Sequence, residues 1–292
     1  MKLIVIGAGP AGVCAALYGK SRGLDVTVLE KEQVGGIIGH VSLVSHFASA
    51  VVGESGLDFA KRLETQLQDA GIAVLYEEVT ALDPIDEGYQ VTTKAGTYLA
   101  DKVVVATGST PKELPIDYPE GLQVHHFARG MEQAVQGKTV VVNGGSDGAV
   151  KEALYLAQFA KAVHIVQDQP QLMCIQEFKD KLAQCETIVV HTGTTLSACD
   201  MAEGKLVAVH LNGEAATDIV DDGGMELFVL IGQAGNGALV EKFVPLQNGY
   251  ADAADLNVAE GLYVAGDVRV KAVRQVATAV SDGCLAGVDA AK

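Results

Sequence analysis

Residues 2–6 read KLIVI, an apolar-leaning run that predicts a strand buried on both faces. A turn with Gly7, Gly9 and Gly12 follows, residues 14–22 predict a helix, and a second apolar run at 26–29 predicts another strand. Strand, glycine turn, helix and strand make a βαβ unit. The same order returns from TVVVNGGSDGAVKEALYLAQFA, where a constant offset of 137 residues sets Leu17 on Leu154 and Tyr18 on Tyr155. Two more apolar runs, KVVVATG at 102–108 and LYVAGD at 262–267, predict strands that end in small-residue turns. Apolar positions 273, 276, 277, 280 and 284 then predict the buried face of a last helix.

The first glycine turn suits a dinucleotide. Gly7 allows the tight turn, Gly9 lets a pyrophosphate approach the backbone, Gly12 lets helix and strand pack, and the helix N-terminus faces the phosphates. Glu30, 18 residues after Gly12, ends the second strand where a carboxylate accepts hydrogen bonds from an adenosine ribose. An ordinary glycine turn is the alternative, and it leaves the terminal Glu unexplained.

At the offset of 137 the second turn is altered: Gly7 maps to Gly144 and Gly12 to Ala149, but Gly9 maps to Ser146 and Glu30 to Gln167. A shifted register through Asn143, Gly145 and Gly148 restores part of the glycine pattern and breaks the Leu-Tyr match, so the offset of 137 is preferred. Ser146 puts a Cβ where the pyrophosphate must come close. The second strand runs into Gln167-Asp168-Gln169-Pro170, and no arginine stands between Arg129 and Arg269. A 2′-phosphate needs cationic donors there, which disfavours NADPH. NADH stays open through Asp168, beside the reading that this turn binds nothing.

At 292 residues and 49% hydrophobic content the chain has material for two modest domains. The net charge of −16 repels nucleic acid and anionic lipid. No apolar run reaches the roughly eighteen residues that span a bilayer, and the start reads as a strand instead of a signal peptide, so a cytoplasmic protein without membrane contact is expected. Cys14, Cys174, Cys185, Cys199 and Cys284 form no CxxC and no metal-ligand spacing, which suits buried free thiols and no metal.

With these segments, and above all GLYVAGDVRVKAVRQVATAVSDGCLAG, the chain resembles over almost its full length the low-molecular-weight thioredoxin reductases, flavoproteins of the class II pyridine nucleotide-disulfide oxidoreductase fold. The resemblance implies an α/β protein of two Rossmann-like, three-layer nucleotide-binding domains. The FAD domain is discontinuous, 1–114 and 243–292, with an NAD(P)-binding-like domain inserted at 115–242; crossings are expected within 111–119 and 232–240. It further implies that FAD meets Gly7, Gly9, Pro10, Ala11 and Gly12 at the pyrophosphate, Glu30 and Lys31 at the adenosine ribose, and Val79 at the adenine. Gly35, Gly36, Ile37, Ile38 and His46 would line the flavin, with the turn Ala106, Thr107 and Gly108 alongside. Gly266 and Asp267 would meet the phosphate and ribityl chain, and Arg274, Gln275 and Val276 would lie near the ring. A homodimer is expected.

The departures carry the functional reading. Where thioredoxin reductases hold a CxxC this chain has Phe127-Ala128-Arg129-Gly130, so the flavin-to-disulfide relay is missing. A replacement pair from Cys174 and Cys185 stays open. Ferredoxin/flavodoxin–NADP reductases of the same fold also lack the CxxC, and the segment VHHFARGMEQAVQGKTVVV is similar to theirs. His46 stands where the family has an amide, so it either moves a proton at the flavin or is a bystander; the same choice applies to His125 and His126. Three expectations result: an FAD oxidoreductase served by a ferredoxin or flavodoxin carrier, docking through a basic patch such as Arg269, Lys271 and Arg274 unless FAD occupies it; an NADH-dependent flavin reductase or oxidase; or a flavin-binding sensor or assembly subunit.

Overall fold

The computed structural model describes residues 1–214 and 216–292. It divides into two compact units, Met1–Thr110 with Ala234–Lys292, and Pro111–Gln233.

In the first unit the strands lie in the order Asn257–Ala259, Leu262–Val264, Lys102–Val105, Lys2–Ile6, Asp25–Glu30, Ala73–Tyr76. All neighbours are parallel except the first pair. Strand residues alternate faces, so one run of apolar side chains feeds two cores. Leu3, Val5, Val26, Val28 and Val104 pack against helices Pro10–Ser21 and Val276–Asp289. Ile4, Ile6, Leu29, Val103 and Val105 meet an antiparallel layer of Val79–Pro84, Tyr89–Thr93 and Thr97–Ala100. This is why KLIVI is apolar at every position after its first.

The first helix starts at Pro10, not at Cys14: proline at the first helical position gives up a backbone N–H that has no partner there anyway. The last helix buries a different face from the one its larger apolar residues predict. Ala279, Gly283, Ala286, Gly287 and Ala290 are buried, while Val273 is 54% exposed and Ala277 is exposed. The reason is the neighbour. A Cβ on Gly283 would lie 2.1 Å from the Ala11 carbonyl oxygen, and one on Gly287 2.4 Å from that of Ala15, so the two helices touch backbone to backbone and admit only small residues.

In the second unit the order is Ile188–His191, Ala162–Val166, Thr139–Asn143, Ile219–Val229, Lys205–Asn212, Thr195–Ala202, parallel over the first four and antiparallel beyond. The internal repeat holds at the offset of 137 residue for residue: Lys2–Ile6 corresponds to Thr139–Asn143, and Pro10 to Asp147 at the helix starts. The Gly7 N–H donates to Leu29 O, and the Gly144 N–H to Val166 O, both at 2.8 Å. These matched bonds leave no room for the shifted register.

The crossings fall at 110/111, at the edge of the expected 111–119, and at 233/234, within the expected 232–240, so 111–114 go with the second unit and 234–242 with the first. Residues 234–242 are held to the first unit by Asn236, whose N–H donates to Gly108 O, and by Gly237, whose N–H donates to Gly249 O. No helix among the described residues is long and apolar enough to cross a membrane.

Gly283→Ala forces a Cβ against Ala11 and should destabilise the chain by about 1–3 kcal/mol in urea unfolding. Leu285→Ala, on the exposed side of the same helix, should stay within about 0.5 kcal/mol of wild type. Equal stabilities would contradict the backbone contact.

Candidate functional site

Three of the glycines in and beside the first turn differ in what constrains them. Gly7 has φ +99°, and a Cβ there would lie 2.5 Å from Ala106 O; one on Gly12 would lie 1.9 Å from Gly7 O. Both are demanded by the chain itself. Around Gly9 the nearest atom to a Cβ is Gly35 O at 3.9 Å, so packing does not require this glycine. It leaves the backbone open. Gly9 also caps the first helix without a side-chain acceptor, so the helix presents unpaired N–H groups and the positive end of its dipole. An anion is the partner such an end accommodates.

Glu30 is 7% exposed, and its two oxygens accept from the Ala8 N–H at 2.7 Å and the Glu32 N–H at 2.9 Å. These bonds fix the carboxylate and leave lone pairs for hydroxyl donors. Lys31 is exposed and pairs with Glu32 at 3.7 Å. The Gly35–Gly36 turn, with φ of +103° and +56°, sits against the glycine loop: the Gly35 N–H donates to Ala8 O at 2.8 Å, and a Cβ on Gly36 would be 3.6 Å from Gly9 Cα. Ile37 and Ile38 continue from it in the short helix Gly36–His40.

The distant end of the chain joins this loop. Gly266, φ +81°, has its Cβ direction 2.6 Å from Ala11 Cβ, which puts the last strand's turn on the start of the first helix. The Gly266 N–H donates to Asp282 Oδ2 at 3.0 Å. Asp282 also receives Lys271 Nζ at 3.2 Å and Arg269 Nη1 at 3.4 Å, all three side chains being about 15% exposed or less. Burial raises the Asp267 carboxyl pKa, against the pull of Lys271. Asp267 Oδ1 has that ammonium at 3.4 Å without an aligned hydrogen bond, and the Nε atoms of Arg269 and Arg274 are buried with no partner. The Arg274 guanidinium lies 3.8 Å from the centre of the Tyr250 ring and donates to Arg269 O. Gln275 caps the last helix in a reciprocal box with Thr278, and Val276 begins it. Beside them, the turn Ala106, Thr107, Gly108 is tied down by Asn236, which accepts from Thr107 Oγ1 at 2.8 Å and donates to Thr107 O at 3.0 Å.

Buried guanidinium donors without partners, a carboxylate oxygen facing only an ammonium, an open helix N-terminus and a fixed Glu30 fit a ligand with phosphates and a hydroxylated chain. A flavin dinucleotide has both. Asp282, Asn236 and Tyr250 were not singled out by the sequence; the legible signal was Asp282, an acid inside the otherwise small and apolar VATAVSDGCLAG. Arg269 and Lys271 do not form the outward basic patch considered above, because Asp282 and Asp267 draw them inward.

Val79 is half-buried at the start of its strand, paired with Thr93. His46 is exposed on the loop after the Gly36–His40 helix, with φ +58° and Ser45 Oγ 3.3 Å from Nδ1. His125 and His126 belong to the second unit, where His125 pairs with Glu226 at 3.0 Å and His126 donates to Val229 O and meets Glu113, both at 2.9 Å. Both imidazoles are engaged within that unit.

The second glycine turn keeps the fold and changes the surface. Gly144, φ +136°, needs its missing Cβ as Gly7 does, since Leu230 O is 2.3 Å away. The Gln167 side chain, 6% exposed, fills the space beside Gly145, its Cδ 2.7 Å from a Cβ there. Ser146 caps helix Asp147–Leu156 without a side-chain bond. Asp147, on the first turn, accepts from the Ile175 N–H at 2.8 Å, and the Met173 N–H donates to Gly145 O at 2.9 Å. Asp168 is exposed. The cysteines are all free, and burial pushes the Cys14 and Cys199 thiols up to about 11 and raises Cys174.

Residues 1–283 match the family model described as pyridine nucleotide-disulphide oxidoreductase. A thioredoxin reductase of Peptoclostridium litorale is 32% identical over 99% of this chain and 96% of its own. A 34.2 kDa protein in a rubredoxin operon of Clostridium pasteurianum is 30% identical over 100% of this chain and 96% of its own. Among solved structures, the Lactococcus lactis thioredoxin reductase in its FR conformation aligns with a TM-score of 0.92 at 23% identity, over 99% of this chain and 97% of its own, which shows a shared fold.

Asp282→Ala strands the largely buried Arg269 guanidinium and a backbone donor and leaves Lys271 only Asp267, and should cost about 3 kcal/mol in urea unfolding, with Asp282→Asn costing less because its amide oxygen still accepts from Gly266. A neutral Asp282→Ala would contradict this role.

Proposed function

This chain belongs to the pyridine nucleotide-disulphide oxidoreductase family, and from that premise we propose that it is an FAD-dependent oxidoreductase that exchanges electrons with a small carrier protein, without a redox-active disulfide and without NADPH. The observation that carries the reading is the contrast between two equivalent turns: one open at Gly9 with a fixed acid at Glu30, the other bearing Ser146, Asp147 and Gln167. At the second turn the Asp147 carboxylate sits on the helix end that would face a pyrophosphate, and Asp168 replaces the cations a 2′-phosphate needs. The rubredoxin-operon relative supports a carrier as partner.

FAD, when bound, supplies reversible two-electron, two-proton chemistry, so two molecules of a one-electron carrier serve each turnover. The chain's own work is to hold it. The first helix's N-terminus and the Gly9 backbone take the pyrophosphate; Glu30 takes the ribose hydroxyls; Gly266 and Asp267, steadied by Asp282, take a phosphate and the ribityl chain. Gly35, Gly36, Ile37, Ile38, His46, Arg274, Gln275 and Val276 would line the ring, and the exposed His46 imidazole would be the group to pass a proton between it and solvent. The buried thiols Cys14 and Cys199 stay protonated at neutral pH, and no pair of cysteines has the CxxC spacing of a relay. A second reading, NADH as donor, is favoured only by the exposed Asp168 carboxylate one residue beyond Gln167.

Anaerobic titration of the FAD-loaded chain decides between them. NADPH and NADH should leave the visible flavin band intact while reduced ferredoxin bleaches it. Rapid bleaching by NADPH overturns the proposal, and bleaching by NADH alone selects the second reading.

A further inference from the structure

An acidic carrier approaching a chain of net charge −16 meets repulsion over most of the surface, so the carrier reading, on which this inference rests, needs a local exception. Residues 33–53 are one: they contain no Asp, Glu, Lys or Arg, and their only ionisable side chains are His40 and His46. The run begins at the Gly35–Gly36 turn against Gly9 and ends at Glu54, so it leads from the dinucleotide loop to the surface.

The loop is firmly held. The Val44 N–H donates to Glu54 O at 2.9 Å, Phe47 packs edge-on against Phe59 at 5.9 Å, and Arg62 binds Glu54 at 2.7 Å while reaching Ser49 O. Even so, Val52 is fully exposed and Val51 is 59% exposed, side by side on the chain. In the Glu54–Arg62 pair beside them, the Glu54 side chain is 5% exposed and that of Arg62 45%, so the member turned to solvent is the cation. An uncharged apolar tip, edged by a neutralised pair whose exposed member is the cation, offers an acidic protein with an apolar rim around its redox centre a contact free of charge repulsion.

We propose that the 33–53 loop, through Val51 and Val52 with Arg62 at its edge, is the docking face for a small acidic electron-carrier protein. Direct binding tests it, with a plant-type [2Fe–2S] ferredoxin as the probe and the FAD-loaded chain titrated calorimetrically at low ionic strength. The double variant Val51→Glu/Val52→Glu should weaken the Kd for oxidised ferredoxin on the order of tenfold and slow flavin reduction by reduced ferredoxin to match, with FAD content and dithionite reduction unchanged. Val51→Lys/Val52→Lys should tighten binding, and the gain should fade with added salt. Val220→Glu, an equally exposed valine on the second unit, should change nothing. Equal binding by wild type and both double variants, with ferredoxin still reducing the flavin, overturns the docking face and leaves the functional reading standing. A double Glu variant that loses its dimer in sedimentation also overturns it, marking the loop as a contact between copies. Failure of ferredoxin to bind or reduce the wild type overturns the functional reading and this face with it.

Discussion

The backbone contact between the first and last helices is the constraint on which the first unit depends. Gly283 and Gly287 lie on the carbonyls of Ala11 and Ala15 so closely that a single Cβ would intrude. That contact brings the chain's last segment back onto its first, setting Gly266 on Ala11 beside the Gly7–Gly12 turn. Asp282, one residue before Gly283, then reaches the Gly266 N–H and gathers Arg269 and Lys271. A site made from residues at opposite ends of the sequence is thus fixed by two missing side chains. Small residues here serve close approach; they would be poor at filling a core of ordinary width.

The internal repeat separates what the fold needs from what a ligand needs. Gly7 and Gly144 both have positive φ and both would strike a carbonyl if they carried a Cβ, so the βα turn itself demands glycine at that point in each copy. Gly9 is under no such demand, and its counterpart is Ser146. Glu30 is held by two backbone donors in the first copy, whereas Gln167 in the second lies folded against Gly145. The copies agree where the chain must turn and differ where a dinucleotide would lie. That pattern is what a retained frame with one altered binding surface produces.

Much of this was legible in the sequence because it is local. Unbroken apolar runs, a glycine turn and an acid at a fixed distance specify a βαβ unit with little help from the rest of the chain, and the offset of 137 was visible from Leu154-Tyr155 alone. What was not legible depends on neighbours. The face of the last helix went to Ala279, Gly283 and Gly287 because the backbone of the opposing helix comes so close at Ala11 and Ala15, which an amphipathic count cannot see. Arg269 and Lys271 read as a basic patch until Asp282 and Asp267 are placed beside them. The partners of His125 and His126, namely Glu226, Val229 and Glu113, lie far from them in sequence or on other strands and were equally out of sight.

Of the two equivalent turns, one should bind a dinucleotide and the other should not. Native mass spectrometry of the purified chain, with excess FAD and then with excess NADH and NADPH, counts bound nucleotides directly. One FAD per chain is expected, and no second nucleotide at any concentration that leaves nonspecific adducts negligible. One FAD with one nicotinamide dinucleotide on the same chain would contradict it.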